Sequence, residues 1–400
     1  MNIILFDSHK TREQLLPLTF TRPLADIRVG IMTIREKWEH LLASSTFSLT
    51  ETYLLGKFPG AKGDEPSLYI NGAVLPTEDL VAAIRSLGAL QSLKSGDILV
   101  AFKSEKQHLN YENFEAIAKS FSAVNYGKDI VSIKHSWDIF KLNGYAIEQD
   151  FEWLTKGKTS EPLSATNTII GDPSRIFLSK GAKVEAAILN TTAGPIYLGE
   201  DAEIMEGTTV RGPLALCDHA ALKMSAKVYG PTTLGPHCKA GGELNNVVFL
   251  GYSNKAHDGF LGNSVIGEWC NLGADTNNSN LKNNYGLVDV YDYGQGKAVD
   301  TGLTFCGLIM ADHAKAGINT MFNTGTVVGV SSNIFGGDFP PKFIPSFSWG
   351  GAQWLRTFTF DKSLEVAQKM MERRGLSLTE ADITILKMVF DREEKNRKSK

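Results

Sequence analysis

The spacing of apolar residues changes once along the chain, and that change divides it. Up to about residue 157 the apolar positions come in short clusters that alternate between two periods. Residues 3–6 form a continuous apolar run of the buried-strand kind, and Ile34, Trp38, Leu41 and Leu42 recur at helical spacing, which predicts a helix over residues 31–42. Residues 68–70 predict a second strand, ended by Asn71-Gly72. Thr77 then caps a helix whose first turn holds Glu78 and Asp79, where carboxylates suit the helix dipole. Residues 98–102 and 130–133 predict further strands. Strands alternating with helices imply an α/β domain over residues 1–157 with a mainly parallel, Rossmann-like sheet. The polar stretch at residues 156–162 reads as a linker.

Beyond it the period becomes six. Leu198, Ile204, Val210, Leu216, Leu222, Val228, Leu234 and Ala240 follow one another at intervals of one hexad, and the places four further on hold small residues such as Ala202, Thr208, Ala220, Ala226, Thr232 and Cys238. Six is neither a helix nor a strand period, and it fits a solenoid of triangular coils with one hexad per face. The series resumes at Phe260, Ile266 and Leu272, and again at Met310, Ala316, Phe322, Val328 and Ile334. Residues 165–337 are therefore expected to form a parallel β-helix. Residues 274–303, rich in Asn, Tyr and Asp, break the period and read as a loop thrown out from one corner, where such folds keep function. Residues 338–400 open with a Pro/aromatic stretch and continue as two helical patterns, a helical cap over the open end of the solenoid, with a frayed charged end from residue 391.

Composition narrows the function classes. The net charge is −3, which argues against a nucleic-acid binder. No apolar run is long enough to mark a membrane span, and residues 1–7 lead at once into polar residues, unlike an export signal. The four cysteines, Cys217, Cys238, Cys270 and Cys306, lack metal-binding spacing and read as reduced thiols of a cytoplasmic protein. His219 and His237 lie three hexads apart and should stack on one outer face as ordinary surface residues. His257 falls two places past the next such position and does not complete a zinc triad. His313 has no partner spacing and reads as structural.

The chemistry-bearing residues gather around the interruption of the hexads. His257 and Asn271 are nearly one coil apart, beside the irregular loop. A neutral histidine there suits a general base toward an amine, with an asparagine to orient the substrate or stabilise an oxyanion. The run His257-Asp-Gly-Phe260-Leu-Gly-Asn263-Ser-Val-Ile-Gly267-Glu-Trp-Cys-Asn271-Leu-Gly-Ala-Asp275-Thr276 resembles, without a gap, the His-x-x-Tyr-Leu-Gly-Asp-x-x-Ile-Gly-x-x-x-Asn-Ile-Gly-Ala-Gly-Thr motif of the bacterial bifunctional N-acetylglucosamine-1-phosphate uridylyltransferase/glucosamine-1-phosphate acetyltransferases. The resemblance implies a left-handed β-helix, acetyl-CoA as cosubstrate, a sugar phosphate as acceptor and a homotrimer in UDP-N-acetylglucosamine biosynthesis. It implies His257 as catalytic base, Asn271 and Asn280 as sugar-binding residues, and Glu243 at a substrate-side acidic position. Acetyl-CoA would lie near Ala274, Gly307 and Gly325. The sequence departs from the motif where the family tyrosine is Phe260, a family lysine falls on Asn245, and a glycine is Asp275. Phosphate contacts are then expected from Lys255, Lys282 or Lys227.

The first domain resembles sugar-phosphate nucleotidyltransferases through Leu16-Pro-Leu-Thr-Phe-Thr-Arg-Pro23, but the phosphate-cradling glycines are absent, Leu24 replaces a lysine, and Gly72-Ala73 stands where the family has a metal-binding Gly-Asp. The resemblance implies a nucleoside triphosphate and Mg2+ if the domain is active, with Arg12, Arg22 and Arg28 compensating the phosphates and Asp7 at the metal. Catalysis and mere binding both stay open, as do a nucleotidyltransferase whose β-helix only oligomerises and a non-catalytic sugar-nucleotide-binding regulator.

Overall fold

The computed structural model describes residues 1–63, 65–105 and 109–398. Their contacts form two compact units, Met1–Ile27 with Met32–His135 and Glu380–Leu386, and Arg28–Ile31 with Ser136–Thr379 and Lys387–Lys400.

In the first unit six strands, β1 (Asn2–Phe6), β2 (Phe47–Leu49), β3 (Ser67–Asn71), β4 (Gln91–Ser95), β5 (Ile98–Ser104) and β6 (Ser122–Asn125), make one sheet in the order β2-β1-β3-β5-β4-β6. Helices α1 (His9–Gln14), α2 (Ile34–Leu42), α3 (Glu78–Arg85) and α4 (Phe114–Lys119) connect them. The sheet is mainly parallel, with three of its five pairings parallel and only β5 reversed. β1 runs parallel to β2 and β3, but β5 runs antiparallel to both its neighbours, because β4 and β5 are joined by a short turn in which Gly96 takes φ +54°. Residues 130–133 contribute only an isolated bridge, Val74 to Ser132. α2 starts later than its apolar period suggests because Thr33 and Glu36 form a reciprocal capping box. Phe6, Tyr69, Phe102 and Phe114 fill the core beneath the sheet.

The second unit is a parallel β-solenoid. One of its sheets has ten strands, all parallel except the last, Leu355–Thr357. Every residue of the unbroken hexad series from Leu198 to Ala240 is buried, as are the small residues Ala202, Thr208, Ala220, Ala226, Thr232 and Cys238. The period of six thus marks one inward side chain per face, joined into a single aliphatic core. At one corner each coil turns through a left-handed residue, and His219, His237, Tyr252, Trp269 and His313 all have φ between 54° and 61°. Their rings stack, with centroids 4.3 to 6.4 Å apart. His313 joins this ladder, although residues 279–305 separate it in sequence from Trp269.

The coils around the motif fall short of three hexads, and this moves the register. Leu244 pairs with Leu261, one place short of the full coil, so Leu261 faces the core and Phe260 is half-buried outside it. Phe260 is therefore not the inward hexad residue that the sequence pattern suggests. Helix α5 (Asp138–Thr155), expected in the first domain, packs with the solenoid through buried Ile147 and Phe151. The excursion after residue 278 carries a hairpin, Asp289–Asp292 with Lys297–Asp300, and Tyr291 stacks on Phe343 at 3.6 Å. The tail first adds strands Phe343–Ile344 and Ser348–Gly350 to the solenoid before α6 (Phe360–Glu372) and α7 (Glu380–Lys398). The segment expected to fray is helical to Lys398, with Arg397 donating to the Ser346 carbonyl at 2.6 Å; residues 399 and 400 lie outside the described residues.

Candidate functional sites

Two outward ladders share one face of the solenoid. Lys227 is in register with Glu243 and Glu243 with Phe260, while Tyr229 is in register with Asn245 and Asn245 with Gly262. The Tyr229 hydroxyl donates to the Glu243 carboxylate, which pushes the phenol up to about 12. A groove of about 780 Å³ runs over this face, lined by Arg211, Lys227, Tyr229 and Asn245. Phe260 folds over Gly262: a side chain there would meet the Phe260 ring at 2.5 Å and the Asn280 amide at 2.7 Å. Asn280 donates to Asn263 at 2.8 Å, and the Phe260 amide donates to Asn277 Oδ1 at 2.7 Å.

His257 is exposed on the bend that leads into this face. The matching corner of the next coil holds Ala274, since the Asp275 amide donates to the Asp258 carbonyl at 3.0 Å. Asn271 is exposed on the face before that corner, in register with Asn254, whose Oδ1 accepts from Arg374 at 3.0 Å. His257 thus sits at the corner between the Asn271 face and the face bearing Glu243, Phe260 and Asn280. The sequence does not single out Arg211 and Tyr229, whose one signal is that they stand three hexads apart at the same coil position.

Several of the expected binding residues are buried or engaged within the chain. Lys255 is fully buried, so it cannot meet a phosphate. Lys282 is bound to Asp289 at 3.0 Å and to the Leu287 carbonyl. Gly307 is closed by Ser264, Asn278 and the Gly262 carbonyl, and Gly325 by the Asp289 carbonyl, so neither glycine opens onto a cosubstrate. Ala274 is half-buried, with its carbonyl accepting from Asn319 at 2.8 Å.

In the first unit a cavity of about 440 Å³ lies at the carboxyl ends of β1 and β3, where open α/β sheets place ligands. Its cations are Lys10, Lys94, Lys119 and Lys134, and none of the expected arginines lines it. Arg12 is buried, donating to Asp7 at 2.9 Å and to the Arg22 and Thr19 carbonyls. Arg22 is buried too, and Arg28 belongs to the second unit, where it donates to the Leu250 carbonyl at 3.3 Å.

Asp7 does not fit a metal. Its Oδ1 accepts the Leu24 amide at 2.8 Å, and its Oδ2 accepts Arg12 and, at 2.5 Å, the Thr50 hydroxyl. Ala73 lines the cavity where a metal-binding aspartate would stand. Of the lining carboxylates, Glu115 is taken by the His9 amide and ring. Among the described residues no group of three His, Cys, Asp or Glu side chains is placed to hold a metal ion. The four cysteines are free and buried, and no described helix is long and apolar enough to cross a membrane.

Residues 3–159 match a family model described as sugar nucleotidyl transferase. A curated bifunctional sugar-1-phosphate nucleotidylyltransferase/acetyltransferase from Sulfurisphaera tokodaii is 30% identical over 193 residues, which is 48% of this chain and 47% of that protein. The chain therefore spans about half the length of this relative. Among solved structures, the UDP-N-acetylglucosamine acyltransferase of Campylobacter jejuni is 11% identical with a TM-score of 0.24, covering 56% of this chain and 94% of its own. That of Arabidopsis is 16% identical with a TM-score of 0.22, covering 56% and 86%. The chain's relatives are transferases: over residues 3–159 it is similar to sugar nucleotidyl transferases, and over a 193-residue stretch to a protein named for both nucleotidylyl and acetyl transfer.

Proposed function

We propose that the solenoid catalyses acetyl-CoA-dependent N-acetylation of an amino-sugar 1-phosphate such as glucosamine 1-phosphate, in nucleotide-sugar biosynthesis. The observation that carries this reading is the register of Lys227, Glu243 and Phe260 on one face, with Asn280 beside Phe260 and His257 at its corner. An amine acceptor is protonated near neutral pH and must lose a proton to attack a thioester. Once the ammonium has shed one proton to water, the free amine bonds to the acetyl carbonyl carbon while the neutral His257 imidazole accepts the second proton, and the C–S bond then breaks to release the coenzyme A thiolate, which takes that proton from the imidazolium. Glu243 and Asn280 offer hydrogen bonds to sugar hydroxyls, with Asn271 reaching in from the neighbouring face.

With Lys255 and Lys282 engaged elsewhere, the acceptor's phosphate falls to Lys227 and Arg211, both exposed in the groove. Lys227→Ala should raise the KM for a sugar phosphate by about tenfold, the value of one charge-assisted contact, and leave the KM for acetyl-CoA unchanged. Equal KM values for phosphorylated and unphosphorylated acceptors would show that the groove does not read phosphate. Exposed Ile170 and Ile188 on the same face supply apolar surface for self-association, in keeping with a homotrimer. The deciding test is acetyl transfer by the purified chain to a panel of amino-sugar 1-phosphates. Transfer to none of them would leave the solenoid as an oligomerisation or regulatory device.

For the first unit the lysine-lined cavity favours a phosphorylated ligand, with nucleotidyl transfer as a second activity. Since Asp7 is consumed by Arg12 and Ala73 replaces an aspartate, uridylyl or thymidylyl transfer should run well below the ordinary range of about 1 to 1,000 per second. A Mg2+-dependent rate inside that range would show that other residues hold the metal.

A further inference from the structure

Among the side chains that fill the solenoid core, Lys255 is the anomaly. Register places it in the inward column that runs through Leu222, Ala240, Leu272, Ala316 and Ile334, directly after Ala240. It is fully buried. The small Ala240 leaves room for its methylene stem, and its Nζ donates to the Gly241 carbonyl at 3.3 Å and to the His257 carbonyl at 2.9 Å. Among the described residues no carboxylate pairs with it at contact distance. An ammonium in an apolar core is costly, and apolar side chains of similar length suit such a position better. Something other than stability keeps it there.

We infer that Lys255 is a positioning residue, whose inward amine ties the carbonyl of His257 to that of Gly241 in the preceding coil and so fixes the bend that presents the His257 imidazole. The bend has few other restraints. Gly259 takes φ +118°, and His257 and Asp258 are exposed. It is joined to the neighbouring coils by the Asp275 amide on the Asp258 carbonyl and the Glu243 amide on the Gly259 carbonyl. The tether acts on the backbone of His257 itself, from the core side, and leaves both ring nitrogens for the substrate. This inference rests on the reading of His257 as general base.

Burial pulls the Lys255 ammonium down to about 8, while Asp258 and Asp275, the carboxylates facing it, act in the opposite direction. The sign of the pH effect follows. The folded amine sheds its proton near pH 8 while the unfolded one holds it to about 10.4, so the destabilisation by the buried charge is full below pH 8 and disappears across that window.

The experiment is Lys255→Met in the full chain. Its melting temperature should equal or exceed that of the wild type at pH 7, with the gap closing between pH 8 and 10. Its kcat should nevertheless fall by about 10- to 100-fold, the usual effect of a displaced catalytic group, with little change in KM. Amide hydrogen exchange should quicken at residues 257–259 and at Gly241 and Gly242. Lys255→Gln, whose amide still donates, should recover part of both the rate and the protection, and it carries the test if the Met variant fails to fold. Unchanged exchange, or a rate that falls only in step with melting temperature, overturns the tether. A wild type without any acetyl transfer overturns the proposed function instead, and the exchange measurement still decides the tether.

Discussion

His257→Ala should lower acetyl transfer by about 100- to 10,000-fold, the range for losing a general base, while the fold and the assembly survive. Histidine is the side chain whose ordinary pKa lies near neutral pH, so it can be neutral to accept a proton and still hold it. His257 is exposed on a bend, so truncating it removes no core contact and leaves no buried partner unpaired. His219→Ala and His237→Ala are the controls. They belong to the stacked ladder at another corner, with rings 4.6 Å apart, and their loss should leave the rate nearly unchanged. Turnover per folded molecule, with circular dichroism for the fold and light scattering for the assembly, reads all three. A His257→Ala variant that keeps most of its activity would refute the proposed mechanism.

Asp7→Ala should cost about 3 to 5 kcal/mol of stability, because it strips a buried guanidinium of its closest counter-charge and leaves it only the more exposed Glu51, at 3.7 Å. Asp7 and Arg12 are both almost fully buried and 2.9 Å apart. Through the Leu24 amide, the Thr50 hydroxyl and the Thr19 and Arg22 carbonyls, the pair holds together the segment that follows β1. If Asp7 were a metal ligand instead, the variant would lose metal binding and keep its stability. Urea unfolding with and without Mg2+ separates the two outcomes: a lowered midpoint that Mg2+ does not alter supports the structural role.

Both predictions concern residues first picked out by motif, and they show how unevenly a motif transfers. The resemblance picks out His257, Glu243, Phe260 and Asn280, and the fold brings them to one corner of the solenoid and the face beside it. Lys255, just ahead of the same motif, reads in sequence as a phosphate ligand and is not one. The reason is that the coil from Ala240 to Lys255 spans only two and a half hexads, and a deletion within a coil turns an outward place inward. Phe260 moves the opposite way for the same reason. Nothing in the local pattern reveals a shortened coil, since both 260 and 261 are apolar. Gly307 and Gly325 stand out in sequence by residue type alone, and the loop that closes Gly325 is brought there by the hairpin after residue 288.

The sequence by itself determined the solenoid and the inward residues of its unbroken series from Leu198 to Ala240, because a repeat of six is a local property: each face must bury one apolar side chain whatever the rest of the chain does. It also determined the strands at residues 3–6, 68–70 and 98–102 and the Thr77 cap of the first unit, which depend on neighbours within a turn or two. Only the tertiary structure decided which charges are open to a ligand and which hold the fold. Arg12, Arg22 and Asp7 are as polar in sequence as Lys10 and Lys134, yet the first three are buried and the lysines line a cavity. Whether a charge faces water or a partner depends on residues far away in sequence, such as Thr50 for Asp7, and desolvation, which sets the energy of a charge, follows from that three-dimensional neighbourhood.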